Sequence, residues 1–70
     1  MYQEIKKYMH KMDLRILLIN HPNPKRIITN NFDDFYNWND NESQYWNVIT
    51  FLEIIRQNNL WDRLDKAMEE

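Results

Sequence analysis

The last third of the chain holds two amphipathic segments joined by a pair of asparagines, and this arrangement restricts the fold more than any other feature. Apolar side chains recur at helical spacing between residues 45 and 55 and again between residues 60 and 68. Asparagine tolerates the left-handed conformation that ends many helices, so we expect Asn58 to end the first helix and lead into the second. Because other helices must cover the apolar faces of such a hairpin, the pattern predicts an all-α fold.

The chain is short and contains no cysteine. Seventy residues make at most one domain, whose net stability is only about 3–5 kcal/mol. Without cysteine, neither disulfides nor thiolate metal sites can add to that stability. Three tryptophans, four tyrosines and three phenylalanines provide bulky apolar material. We therefore expect a single domain over residues 1–70 that is held together by packing.

Charge and hydropathy restrict the partners and the location. Nine basic and eleven acidic residues give a net charge of -2, which opposes binding to nucleic acid. No apolar run approaches the roughly 20 residues that cross a bilayer, and the N-terminal segment does not resemble a secretory signal. The composition predicts a cytoplasmic protein that binds neither nucleic acid nor membrane.

Two helices are predicted in the N-terminal third. The first has apolar side chains at helical spacing from residue 2 to residue 12. Asp13 offers an N-cap oxygen for a second helix over residues 14–19. By length and branching, residues 14–19 could equally form a buried strand, and only their helical neighbours favour a helix.

Proline and asparagine mark the third helix. Pro22 pushes the preceding residue out of the α region and so ends the second helix. Asn23 as N-cap with Pro24 at the first helical position is a strong start signal. We expect this helix to end at residues 30–31 and to have a short buried side formed by Ile27, Ile28 and Phe32.

The segment before the closing hairpin is predicted to hold one more helical turn, residues 34–38, capped by Asp33. Asn41 and Gln44 are spaced like a capping box and so mark the start of the long helix. That helix is apolar over more than half its circumference, which predicts a central helix covered on two sides. Together the elements predict a compact bundle of five to six short helices.

The inventory of reactive side chains does not favour catalysis. Without glycine there is no phosphate-binding loop and no nucleophile elbow. His10 and His21 have no carboxylate at a motif spacing, and neither is spaced as a metal-binding pair on one helix. We therefore expect no enzyme activity, no metal or other cofactor and no small-molecule substrate.

Charged residues near the third helix suggest a protein contact. Lys25 and Arg26 follow the helix start, where the helix dipole disfavours each cation by about 0.3–1 kcal/mol. They could contact acidic residues of another copy or of a partner, and this charge pairing would fix how the two molecules align. A solvated face whose charges do little is the alternative. The acidic candidates are Asp33, Asp34, Asp40 and Glu42.

The tryptophans divide into two groups. Trp46 and Trp61 are predicted to fill the gap between the helices of the closing hairpin. Trp38 is predicted to be partly exposed and, with Tyr36, to belong to a contact surface. The predicted protein-binding residues are therefore Lys25, Arg26, Asp33, Asp34, Trp38 and Arg63.

Three segments carry a family resemblance: the amphipathic residues 5–9, the Leu-Arg-Ile-Leu sequence at residues 14–17, and residues 51–64. In this order they resemble the effector-associated domains, small death-fold-like helical modules of bacterial proteins. Asn58 stands where the family has a turn glycine, and residues 21–24 replace its glycine-containing loop. The resemblance implies a death-fold-like adaptor that recruits effectors by binding a similar module in bacterial conflict or signalling systems.

Other functions remain open at this point. A module at the N-terminus of a longer protein and a free-standing adaptor fit the sequence equally well. A small phage or mobile-element protein that inhibits a host protein could have the same sequence features. A helix-turn-helix nucleic-acid binder using Lys25 and Arg26 is a further alternative, which the acidic balance disfavours.

Overall fold

A computed structural model describes residue 11 and residues 13–69, and in this part of the chain the regular structure consists of four helices and no strand. Residues 13–19 form α1, and Lys11 is also helical. The other helices are α2 (Pro24–Asn31), α3 (Gln44–Asn58) and α4 (Trp61–Met68). The all-α prediction is confirmed. The expected count of five to six helices is wrong, because the described residues form four.

The predicted first helix, residues 2–12, lies outside the described residues except for Lys11. Two other predictions are corrected by the described residues. Asp13 is itself helical, so it does not cap a second helix. The helical turn predicted over residues 34–38 lies two residues earlier and does not continue into a helix. The N–H groups of Phe35 and Tyr36 donate to the Phe32 carbonyl at 2.9 and 2.8 Å. Because Phe32 and Tyr36 are both buried, the chain turns once between these anchors and continues without regular structure towards α3.

The predicted start and end of α2 are confirmed. The Asn23 side chain accepts a hydrogen bond from the Arg26 N–H at 3.2 Å, and Pro24 occupies the first helical position. The helix ends at Asn31. Its buried side includes Ile27 and Ile28, as expected, and Phe32 follows directly as a fully buried residue.

Helix α3 begins at a different cap from the predicted one. The Ser43 hydroxyl oxygen accepts the N–H of Trp46 at 3.0 Å, so Ser43 is the N-cap. Asn41 does not form a capping box with Gln44. Its backbone N–H instead donates to the Asn39 side chain at 3.0 Å. Serine is a good N-cap in its own right and lies directly before the first helical residue.

Helix α3 also ends one residue later than predicted. Asn59 has the left-handed conformation, with φ 51° and ψ 53°, whereas Asn58 is still helical. The Asn58 side chain donates to the carbonyl of Ile54 at 2.9 Å. With the turn at Asn59, the Leu60 N–H reaches the Ile55 carbonyl at 3.0 Å, which satisfies one of the last carbonyls of the helix.

Glycine substitutions at these two asparagines should have opposite effects. Asn59→Gly should stabilise the domain by up to about 1 kcal/mol, because glycine adopts positive φ without steric cost. Asn58→Gly should destabilise it by roughly 0.5 kcal/mol, because glycine is a poorer helix residue than asparagine and cannot make the side-chain bond to the Ile54 carbonyl. Urea unfolding followed by circular dichroism measures both changes. The same sign at both positions would contradict the assigned helix end.

One hydrophobic core lies between the helices. Phe51 of α3 is fully buried, and its ring makes edge contacts with Phe32 at 4.9 Å and with Tyr36 at 5.8 Å between centroids. Helices α2, α3 and α4 pack against one another. Leu14 and Leu18 bring α1 into the same core. Within the described residues, no helix is both long and apolar enough to cross a membrane.

Candidate protein-binding surface

Lys25, predicted to contact another molecule, is paired within the chain. Its ammonium nitrogen lies 3.0 Å from a carboxylate oxygen of Asp40, a residue that was predicted to belong to the acidic side of an intermolecular contact. The pair ties the start of α2 to the loop before α3. Arg26 and Asp33 are exposed. Their role in a protein contact stays a prediction.

Arg63 of α4 contacts the C-terminal end of α2. Its guanidinium donates to the Asn31 carbonyl at 2.8 Å and to both carboxylate oxygens of Asp34 at 2.7 and 3.1 Å. The guanidinium carbon also lies 4.7 Å from the ring centroid of Phe32 and 5.2 Å from that of Phe35. Arg63 therefore neutralises helix-end partial charge, holds the following turn and packs on two aromatic rings.

The ion pair between Arg63 and Asp34 should make the free energy of unfolding depend on pH. The hydrogen bond from Arg63 is the main factor that lowers the pKa of Asp34. A lowered folded-state pKa contributes stability above the unfolded-state value near 3.9, and this contribution is lost as the pH falls through the folded-state pKa. Between about pH 6 and pH 2, the stability of Asp34→Asn should therefore fall less than the stability of the wild-type chain. Urea midpoints across this range measure the difference, and identical pH profiles would contradict the assignment.

Asn47 is a fully buried polar residue in the otherwise apolar face of α3. Its side-chain oxygen accepts from the Tyr36 hydroxyl and from the Asn39 N–H, both at 2.8 Å. Its amide nitrogen donates to the carbonyls of Asn39 and Ser43, both at 2.9 Å. Burial raises the pKa of the Tyr36 hydroxyl. All four bonding positions of the amide are used, so Asn47 fixes the loop on the core rather than serving as a reactive group.

The aromatic residues are distributed differently from expectation. Trp61 is buried, as predicted, with the Arg15 guanidinium carbon 5.1 Å from its ring centroid. Trp38 is half-buried, which confirms that it is partly exposed. Trp46 is 42% exposed, so it does not fill the hairpin gap as predicted. Tyr36 is buried and hydrogen-bonded, which excludes it from a contact surface.

The N-terminal half of α3 presents large apolar side chains to solvent. Tyr45 is 65% exposed, Trp46 42% and Ile49 39%. At 3.6 residues per turn these three positions share one side of the helix, which we call the α3 face. Among the described residues, the expectation that neighbours cover α3 on two sides is therefore wrong in this half of the helix. Its buried side consists of Asn47, Val48, Phe51, Leu52 and Ile55.

Other large apolar residues are exposed at separate places in the described chain. Ile16 and Leu17 of α1 are more than half exposed, and Phe35 is 40% exposed beside Arg63. Phe35 contributes to the packing around Arg63, and Ile16 and Leu17 are aliphatic. The α3 face is distinguished by two aromatic residues on a helix whose N-cap and C-cap are both satisfied.

Residues that could support other chemistry are also accounted for. The His21 ring nitrogen Nδ1 accepts the Asn23 N–H at 3.0 Å and so stabilises the turn before α2. His10 lies outside the described residues. Among the described residues, no three histidine, aspartate or glutamate side chains are grouped as metal ligands, and each buried side-chain nitrogen or oxygen there has a hydrogen-bond partner.

Comparison of the chain with protein-family models, with curated protein sequences and with solved structures found no match. The resemblance to effector-associated domains therefore stays a prediction.

Proposed function

We propose that this chain is a non-catalytic protein-interaction module whose main contact is the α3 face. The observation that carries the proposal is the exposure of Tyr45, Trp46 and Ile49 on one side of a regular, capped helix. Tyrosine and tryptophan are enriched at the centres of protein interfaces, because they bury a large area with few rotatable bonds. A contiguous apolar patch of this kind is typical of a binding surface.

The charged residues contribute less to this proposal than the α3 face. Lys25 is paired with Asp40 and Arg63 with Asp34, so a partner that used these charges would have to share or replace existing ion pairs. Exposed ion pairs contribute little affinity, and their main effect is on orientation and specificity. We assign these residues, with Arg26, Asp33 and Trp38, a secondary role in selecting the partner.

The proposed biological role is that of an adaptor. An adaptor that recruits an effector through a related helical module needs a rigid scaffold with an apolar contact, and the α3 face fulfils that requirement. The resemblance of residues 14–17 and 51–64 to effector-associated domains supports placing this adaptor in a bacterial conflict or signalling system. A death-fold-like arrangement of the helices is part of this proposal.

Lysine substitutions on the α3 face test the proposal. The double variant Trp46→Lys/Ile49→Lys should keep its helical content, because neither residue is buried, and should weaken protein binding at least about tenfold. The chain is immobilised, the proteins it captures from an extract of the native host are identified, and their affinities are measured. The matched control is Gln57→Lys/Asn58→Lys, which places two lysines at exposed positions of the same helix. Equal retention by both double variants would contradict the proposal.

A further inference from the structure

We propose that the α3 face binds a second copy of this chain, with the two α3 helices antiparallel and crossing at Ile49. This inference rests on the proposed function and names its partner. A copy related by a two-fold axis presents the same patch, so the patch must be complementary to itself. The sequence of residues along the exposed side of α3 makes this side complementary to a second copy that runs in the opposite direction.

The exposed side of α3 has two different ends. The aromatic end contains Tyr45 and Trp46, and Ile49 follows one turn later. Glu53 and Arg56 continue the same side at one and two further turns, and they form an ion pair with 49% and 55% of their side chains exposed. The Arg56 Nε lies 3.1 and 3.2 Å from the two carboxylate oxygens of Glu53. An aromatic end and an ion-paired end therefore flank a central isoleucine.

An antiparallel pair brings unlike ends together. With the axis at Ile49, the level of residue 53 in one helix faces the level of residue 45 in the other. Helical side chains lean towards the N-terminus, and the contact of Arg56 with Glu53 places its guanidinium near that level. The guanidinium of each copy then lies against the Tyr45 ring of the other, which is a favourable cation–π arrangement. Symmetry forms this contact twice.

Charge complementarity favours a second copy over a strongly charged partner. Glu53 and Arg56 together carry no net charge, so this side of the helix does not attract a protein that is strongly acidic or basic. A parallel pair would instead bring Arg56 close to its own copy and leave both aromatic ends without a cation. The balanced pair and the two aromatic residues thus select an antiparallel copy.

Single cysteine variants test this geometry, because the chain has no cysteine of its own. In the proposed dimer, the two copies of Ile49→Cys face each other at the two-fold axis. Their Cα atoms should then be within the separation of about 7 Å that a disulfide allows. Gln57 is eight residues from the axis, so its two copies should be about 24 Å apart at 1.5 Å per residue. Under mild oxidation, Ile49→Cys should form at least about ten times more covalent dimer than Gln57→Cys.

A second pair of variants leaves Ile49 unchanged and protects the test against misfolding. A mixture of Tyr45→Cys and Glu53→Cys chains should form mainly the mixed disulfide, because these two levels face each other. Circular dichroism of each variant shows whether the fold is retained. Equal dimer yields from Ile49→Cys and Gln57→Cys, or mainly like-with-like disulfides in the mixture, would overturn the antiparallel copy.

The results also separate this inference from the proposed function. Sedimentation equilibrium of the wild-type chain up to about 1 mM should detect a dimer that Trp46→Lys/Ile49→Lys loses. A monomer at this concentration would overturn the second copy. The proposed function would survive if the same double variant still lost a captured host protein. It would fall if that protein also remained bound.

Discussion

Replacement of Phe51 by alanine is expected to leave the domain largely unfolded at room temperature. Phe51 is fully buried at the centre of the core and contacts the rings of Phe32 and Tyr36. Truncation of a buried phenylalanine costs about 3–5 kcal/mol. This equals the whole stability of about 3–5 kcal/mol expected for a domain of this size. Loss of the far-ultraviolet circular dichroism signal and of a cooperative urea transition would show the effect.

Ile49→Ala is the matched control on the same helix. Ile49 is 39% exposed, so its truncation should change the stability of the isolated domain by no more than about 1 kcal/mol. If Phe51→Ala kept a cooperative transition with a midpoint close to that of Ile49→Ala, then Phe51 would not be the centre of the core.

Replacement of Asn47 by leucine should have the second largest effect. Leucine has a similar volume but cannot replace the four hydrogen bonds that join Asn47 to Tyr36, Asn39 and Ser43. Each buried polar group that loses its partner costs about 1–3 kcal/mol. The Ser43 carbonyl keeps its bond to the backbone N–H of residue 47, so we expect a total loss of roughly 2–3 kcal/mol, which leaves a measurable cooperative transition. Urea unfolding measures this loss.

A double variant shows whether the loss arises from these hydrogen bonds. Tyr36→Phe added to Asn47→Leu should recover about 1 kcal/mol, because the buried hydroxyl without a partner is removed. Asn58→Leu, at an exposed position of the same helix, controls for the substitution itself and should change stability little. If Tyr36→Phe destabilised the Asn47→Leu variant further, the proposed network would be wrong.

Local sequence signals predicted the elements that depend on neighbouring residues alone. Asn23 and Pro24 start α2 because a side-chain acceptor and a fixed φ act within one turn. The helical hairpin was also predictable, but its turn was assigned to Asn58 instead of Asn59. Both residues have the same intrinsic tolerance for positive φ, so packing of the following helix decides between them. Ser43 replaced Asn41 as a cap for a similar reason, since both residue types can cap a helix.

Long-range contacts account for what the sequence did not predict. Asn47 lies among apolar residues of α3, and its partner Asn39 is eight positions earlier in a loop, so periodicity alone gives no sign of the bond. Arg63 of α4 contacts Asn31 and Asp34, which are about thirty positions earlier in the sequence. The spacing of charges along the sequence does not indicate a contact over this separation. The burial pattern on the central helix shows a related limit. Periodicity identifies an apolar side, but it does not tell whether that side contacts the same chain or another one.

The three tryptophans make the most direct test of the proposed binding surface. Trp46 is exposed on the α3 face, Trp38 is half-buried, and Trp61 is in the core. Each indole N–H gives a separate signal in a two-dimensional nitrogen–proton spectrum, which can be followed as the chain is concentrated from about 20 µM to about 1 mM or titrated with a captured partner. We expect the Trp46 signal to shift while the Trp61 signal stays in place. An unchanged Trp46 signal under conditions where binding occurs would contradict the assignment of the α3 face as the binding surface.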